Sequence, residues 1–163
     1  MRDGPDRMAF DPYQGWWPDA DGIGLVFAAN DPAAKSCTVW WSGPETDFLH
    51  RMRAEARARG VRLIERQAVY SRFEINRAVK LIYERRLRFR AVGFDLRAAS
   101  GPTPDFRSIT VIGVALADPN ATKLAPEMIA SVRGMVAGLL RDSVIDPDDV
   151  KIECSRSRAT WFE

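Results

Sequence analysis

Acid-base and nucleophilic chemistry near neutral pH draws first on histidine, and the 163-residue chain contains one, His50. On a helix, His50 lies about 200° from Phe48 and about 100° from Leu49, away from the apolar stripe that those residues begin, so it is expected to face solvent. One exposed histidine completes no Ser-His-Asp set. Zinc needs three or four closely spaced ligands, which Cys37, Cys154 and His50 do not supply. The two cysteines read as buried reduced thiols, with a mutual disulfide as the alternative. Gly22-Ile23-Gly24 lacks the third glycine and the following helix that would present N–H groups to a phosphate, and reads as a glycine pair in a strand. Asp146, Asp148 and Asp149 lack the spacing and closing glutamate of a calcium loop and read as a solvated turn. No catalytic, cofactor-binding or metal-binding residue is therefore expected.

Binding chemistry is better represented. Residues 1–50 carry a net charge of −5, residues 51–90 a net charge of +9 and residues 91–163 a net charge of −2. The middle segment supplies a candidate basic surface in Arg53, Arg57, Arg77, Lys80, Arg85 and Arg88. Such a surface suits a nucleic acid, although arginine stems also cover apolar surface and pair with nearby acids. Large aromatics gather near both ends: Trp16 and Trp17 in a Pro, Gly and Asp-rich segment, and Trp161 and Phe162 in the final residues. With Trp40 they form the candidate partner-binding set, the alternative for Trp16 and Trp17 being a segment folded back over an apolar edge.

These residues must be positioned by elements, and the pattern of those elements is doubled. GIGLVFA (22–28), CTVWWSG (37–43), a helix from Glu45 and VRLIER (61–66) spell strand, strand, helix, strand. AVGFDL (91–96), SITVIGVAL (108–116), a helix near Pro126 and DVKIEC (149–154) spell it again. Alternation sends Cys37, Val39 and Trp41 to one face of their strand and Trp40 to the other. Phe48, Leu49, Met52 and Ala56 form one stripe on the first helix. A capping box, Ser71 with Glu74, starts a linking helix whose stripe is Ile75, Ala78, Val79 and Ile82. That helix is read to about Arg90, although Leu87 and Phe89 alternate with arginines like a strand and put its end in question. In the last helix, opened by Pro126, the stripe is Ile129, Val132, Val136, Leu139 and Leu140, and Gly134 and Gly138 predict close approach of helix to sheet. GPTPDF (101–106) reads as a long hairpin connection.

Several local phrases resemble the pro-regions of bacterial chymotrypsin-like proteases of the streptogrisin and alpha-lytic type, and related actinobacterial proteins. They are TVWWSGP (38–44), VYSRFEI (69–75), VGFD (92–95) and ITVIGV (109–114), and the order of elements extends the resemblance over roughly residues 22–154. The resemblance implies a protein-binding fold that packs against a protease, assists its folding and inhibits it. Part of that contact extends a sheet into the partner, and part lays a C-terminal tail at the active site. The corresponding tail here is SRSRATWFE (155–163).

The expectation is thus an α+β protein of two pseudo-repeated ββαβ units: an irregular segment 1–21, a first unit 22–69, a linking helix 70–90, and a second unit with its tail 91–163. Charges interrupt the first ten residues and no apolar run approaches the roughly 20 residues of a membrane span, so a soluble cytoplasmic protein is expected. It is read as a noncatalytic module that binds another protein or a second copy of itself, needing no cofactor. Nucleic-acid binding by residues 51–90 is the alternative.

Overall fold

A computed structural model of the chain describes residues 24–103 and 108–155. The fold is α+β and its two halves repeat one topology. In the first half β1 (Leu25–Asp31) and β2 (Ser36–Trp41) form an antiparallel hairpin, α1 (Asp47–Ala58) crosses over, and β3 (Arg62–Gln67) returns parallel to β2. The linking helix α2 (Arg72–Glu84) follows. In the second half β4 (Phe94–Ser100) and β5 (Thr110–Ala115) are antiparallel, α3 (Pro126–Leu139) crosses over, and β6 (Lys151–Cys154) lies parallel to β5. Each sheet has three strands in chain order with the middle one central. Each opening strand also carries one bulge, between Leu25 and Phe27 in β1 and between Leu96 and Ala98 in β4. Two compact units result, divided between Arg72 and Phe73.

In the first unit the alternation of β2 does what its sequence requires. Cys37, Val39 and Trp41 face α1, where they meet Phe48, Leu49, Met52 and Ala56, and Leu25 and Val61 close the core. The Trp41 ring stacks on Phe48 at 6.1 Å, and its indole N–H donates to the Pro44 carbonyl at 3.0 Å. Its polar edge is therefore satisfied inside an apolar layer. Asp31 and Pro32 turn the hairpin, with Asp31 Oδ1 accepting from the Ala34 amide at 3.0 Å. Gly60, at φ +66°, ends α1: its amide donates to the Arg57 carbonyl and the Val61 amide to the Ala56 carbonyl, the paired bonds of a Schellman motif. That stop sets the register in which Arg62 begins β3.

In the second unit α2 ends at Glu84, short of the expected Arg90. Residues Arg86–Val92 are neither helix continuation nor strand but a 3₁₀ segment. Leu87 is 67% exposed while Phe89 is fully buried, which a two-residue alternation cannot produce. With three residues per turn the two side chains point about 240° apart. Phe89 then packs edge-on to Phe94 with ring centroids 6.3 Å apart, so β4 starts at Phe94 rather than at Ala91.

The expected stripe of α3 is buried at Val132, Val136 and Leu140 and half-buried at Ile129 and Leu139. The two helix glycines correct the sequence reading. Gly134 and Gly138 are exposed, and among the described residues a Cβ placed on either meets nothing within 4 Å. Gly134 lies about 200° from both Val132 and Val136, hence opposite the sheet. Helix packing does not require these glycines, so each weakens α3 without return. Gly134→Ala and Gly138→Ala are each expected to stabilise the second unit by about 1 kcal/mol, read as a raised unfolding midpoint in calorimetry.

Candidate functional site

The second sheet ends at β6, and the backbone of that strand has one side in use. The Lys151 amide donates to the Ile109 carbonyl at 3.0 Å and the Ser155 amide to the Gly113 carbonyl at 2.7 Å. Since peptide groups alternate sides along a strand, the N–H and C=O groups of Ile152 and Cys154 point out of the sheet. Among the described residues no strand pairs with that edge.

The approach to β6 is held from two directions. Asp146 Oδ1 accepts from the Asp148 amide at 2.9 Å and starts a single 3₁₀ turn, Pro147–Asp149. Arg133, reaching from α3, donates to the carbonyls of Pro147 at 2.9 Å and Val150 at 3.3 Å. The solvated turn expected at Asp146, Asp148 and Asp149 is therefore also the brace that sets the strand.

A groove of about 780 Å³ follows this edge. Ile112 of β5 and its cross-strand partner Glu153 line it together with Ile152 and Cys154 of β6. Leu124 and Ile129, from the entry to α3, complete its apolar side. The Cys154 thiol donates to the Ala121 carbonyl at 3.0 Å, which ties the loop before α3 to the strand. Outward-pointing backbone donors and acceptors that no described strand pairs are what an added strand requires: the ladder supplies affinity and the flanking side chains supply selection.

The first unit holds the main charged cluster. Arg53 donates to Glu65 through Nε at 2.7 Å and Nη2 at 2.8 Å, and to Glu45 through Nη1 at 2.8 Å and Nη2 at 2.6 Å. One guanidinium thus clamps two carboxylates, and His50 Nε2 stands 3.7 Å from Glu45. The hydrogen bonds from Arg53 hold both carboxyls below the usual carboxylate range, and the two carboxylates raise the Arg53 pKa further.

A carboxylate whose pKa is depressed by folding contributes stability above its unfolded pKa and loses it as the pH falls through the folded value. The stability difference between wild type and Arg53→Gln is therefore expected to be full near neutrality. It should shrink as the pH falls through and below the ordinary glutamate range, as measured by thermal unfolding across acidic pH.

The sequence-predicted residues are dispersed. Arg53 and Arg57 lie on α1 of the first unit, where Arg53 is committed to its acids and Arg57 is exposed. In the second unit Arg77 and Lys80 lie on α2, with Lys80 3.9 Å from Glu84, and Arg85 and Arg88 lie at the turn that follows. Trp40 is half-buried on the face of β2 opposite the core, opposite Phe27 of β1 in the ladder, with ring centroids 6.2 Å apart. Trp16, Trp17, Trp161 and Phe162 lie outside the described residues, as do Gly22 and the residues 104–107 of the GPTPDF loop. His50 is solvent-facing, as its helical position predicts. Cys37 is buried, Cys154 is half-buried, and neither is in a disulfide.

Sequence reasoning missed the β6 groove. KIEC is too short for its alternation to reveal which edge stays open, and Leu124 and Ile129 join it only through the crossover. Among the described residues no three His, Cys, Asp or Glu side chains gather as metal ligands, and no helix is long and apolar enough to cross a membrane. Comparison of the chain with family models, curated proteins and solved structures finds no match.

Proposed function

We propose that the protein is a noncatalytic binding module that receives an extended segment of another polypeptide along the open edge of β6. The observation that carries this reading is the outward-pointing backbone of Ile152 and Cys154 beside a groove whose lining mixes Ile112, Leu124 and Ile129 with Thr122, Lys123 and Glu153. The resemblance of residues 38–44, 69–75, 92–95 and 109–114 to protease pro-regions supports it, because sheet extension into a partner is the contact that resemblance implies. Two cysteines outside disulfides suit the cytoplasmic setting expected from the sequence.

Ile152→Pro tests the reading. Proline at this position removes an amide that points away from β5 and spares the ladder within the sheet. A protein retained from native lysate by the wild-type chain should be lost with Ile152→Pro, provided circular dichroism shows the variant folded, and should be kept by Trp40→Ala. Equal retention by Ile152→Pro and wild type would remove the reading.

A second reading, nucleic-acid binding, is supported by one feature of the second unit. Arg77, Arg85 and Arg88 are exposed and make no ion pair among the described residues, while Arg86 lies over the Tyr83 ring at 5.0 Å. Binding of this kind must weaken steeply with salt, so a gel shift titrated with salt decides it.

A further inference from the structure

We propose that the occupant of the β6 edge is a second copy of the chain, paired antiparallel about Ile152 so that two sheets join into one of six strands. This rests on the reading of β6 as the docking edge and adds to it the identity and register of the partner.

The four edges of the two sheets differ in what they permit. Opening strands β1 and β4 are bulged, and a bulge twists an edge away from regular pairing. On β3 the amides of Arg62 and Ala68 are bonded into the sheet, which leaves Leu63, Glu65 and Gln67 facing outward. Three antiparallel registers of β3 with its own copy, the two of longest overlap among them, oppose like charges. Pairing Leu63 with Gln67 sets Glu65 against Glu65. Pairing Leu63 with Glu65 sets Arg62 against Arg66, and pairing Glu65 with Gln67 sets Arg66 against Arg66. Like charges directly opposite one another disfavour strand pairing.

On β6 the logic reverses. When Ile152 pairs with its own copy, Lys151 stands opposite Glu153 of the second chain, and two-fold symmetry makes that contact twice. Lys151 and Glu153 are both exposed and share one face of the strand, so each charged pair forms side by side on the sheet surface. Ile152 and its copy exchange two backbone hydrogen bonds at the centre. The ladder weakens at Val150, whose carbonyl already accepts from Arg133. The alternative register, Ile152 with Cys154, places Glu153 against Glu153 and is disfavoured. A short ladder with two charged contacts gives a weak, concentration-dependent dimer.

Sedimentation equilibrium of the full chain over a range of concentrations tests this. Wild type should show a monomer-dimer equilibrium. Lys151→Glu places two acids opposite one another at both contacts and should weaken dimerisation about tenfold or more, as should Glu153→Lys. The double swap Lys151→Glu with Glu153→Lys restores opposite charges in this register and should recover the wild-type equilibrium. Both positions are solvent-facing, and thermal unfolding checks that each of the three variants is folded.

A wild-type chain that stays monomeric at its highest attainable concentration overturns the self-pairing. So does a dimer indifferent to both single swaps, or one that the double swap fails to restore. If self-pairing fails while lysate capture still depends on Ile152, the edge takes a foreign strand and the proposed function stands. If capture is also indifferent to Ile152→Pro, both fail together.

Discussion

Gly113→Ala should lower the stability of the second unit by about 3 kcal/mol, the upper end of what overpacking a core position costs. Gly113 is on the central strand β5, and a Cβ there would stand 2.4 Å from the Asp95 carbonyl oxygen and 2.4 Å from the edge of the Phe94 ring. Neither neighbour can give way cheaply. Asp95 is backbone of the paired strand β4, and Phe94 is fully buried and packed against Phe89. For a unit of this size the loss corresponds to a midpoint lowered by roughly 15 °C. Calorimetry reads the shift, and hydrogen exchange should place the lost protection in β4, β5 and β6 while the first unit keeps its own. A variant as stable as wild type would show that β4 and β5 do not approach at Gly113 as described. The contrast with Gly134→Ala is informative, because the same chemical change has the opposite sign where the added methyl meets nothing.

Trp41→Ala should cost the first unit about 3 to 5 kcal/mol, whereas Trp40→Ala should cost about 1 kcal/mol. The two tryptophans are adjacent, yet Trp41 is 4% exposed inside the layer of Phe48, Leu49 and Met52 and Trp40 is half-buried on the opposite face. Deleting Trp41 removes its stacking on Phe48 and opens a cavity between β2 and α1. The expected loss is a large share of the total stability of a small domain, so the first unit should sit near its midpoint in mild denaturant. Equilibrium unfolding monitored by hydrogen exchange compares the two variants. Equal losses would mean that the alternation of β2 is misplaced by one residue, which would also move Trp40 into the core.

Both effects separate what is local from what is not. The stripe Phe48, Leu49, Met52 and Ala56 was legible because residues at those spacings share a helix face whatever surrounds them, and the structure buries all four. Cys37, Val39 and Trp41 were legible for the corresponding reason in a strand. The residues around Leu87 and Phe89 were misread because a 3₁₀ segment has neither period, and it was Phe94 on the next strand that drew Phe89 inward. At Gly134 and Gly138 sequence supplied a cost and suggested a compensation, but only the orientation of α3 shows that none exists. The groove at β6 depended on four residues whose pattern carries no mark of an open edge.

Sequence by itself determined the order of elements, their inward faces and the doubling of strand, strand, helix, strand, since each follows from side-chain periodicity within a few residues. Tertiary structure alone decided that β2 and β5 are central, that the returning strands run parallel to them, and that Ile152 and Cys154 present their backbone outward. Hydrogen-bond partnership between strands is a relation between distant segments, and a strand's own residues do not say which of its two sides the fold will cover. The binding proposed at β6 rests on the side that no described strand covers.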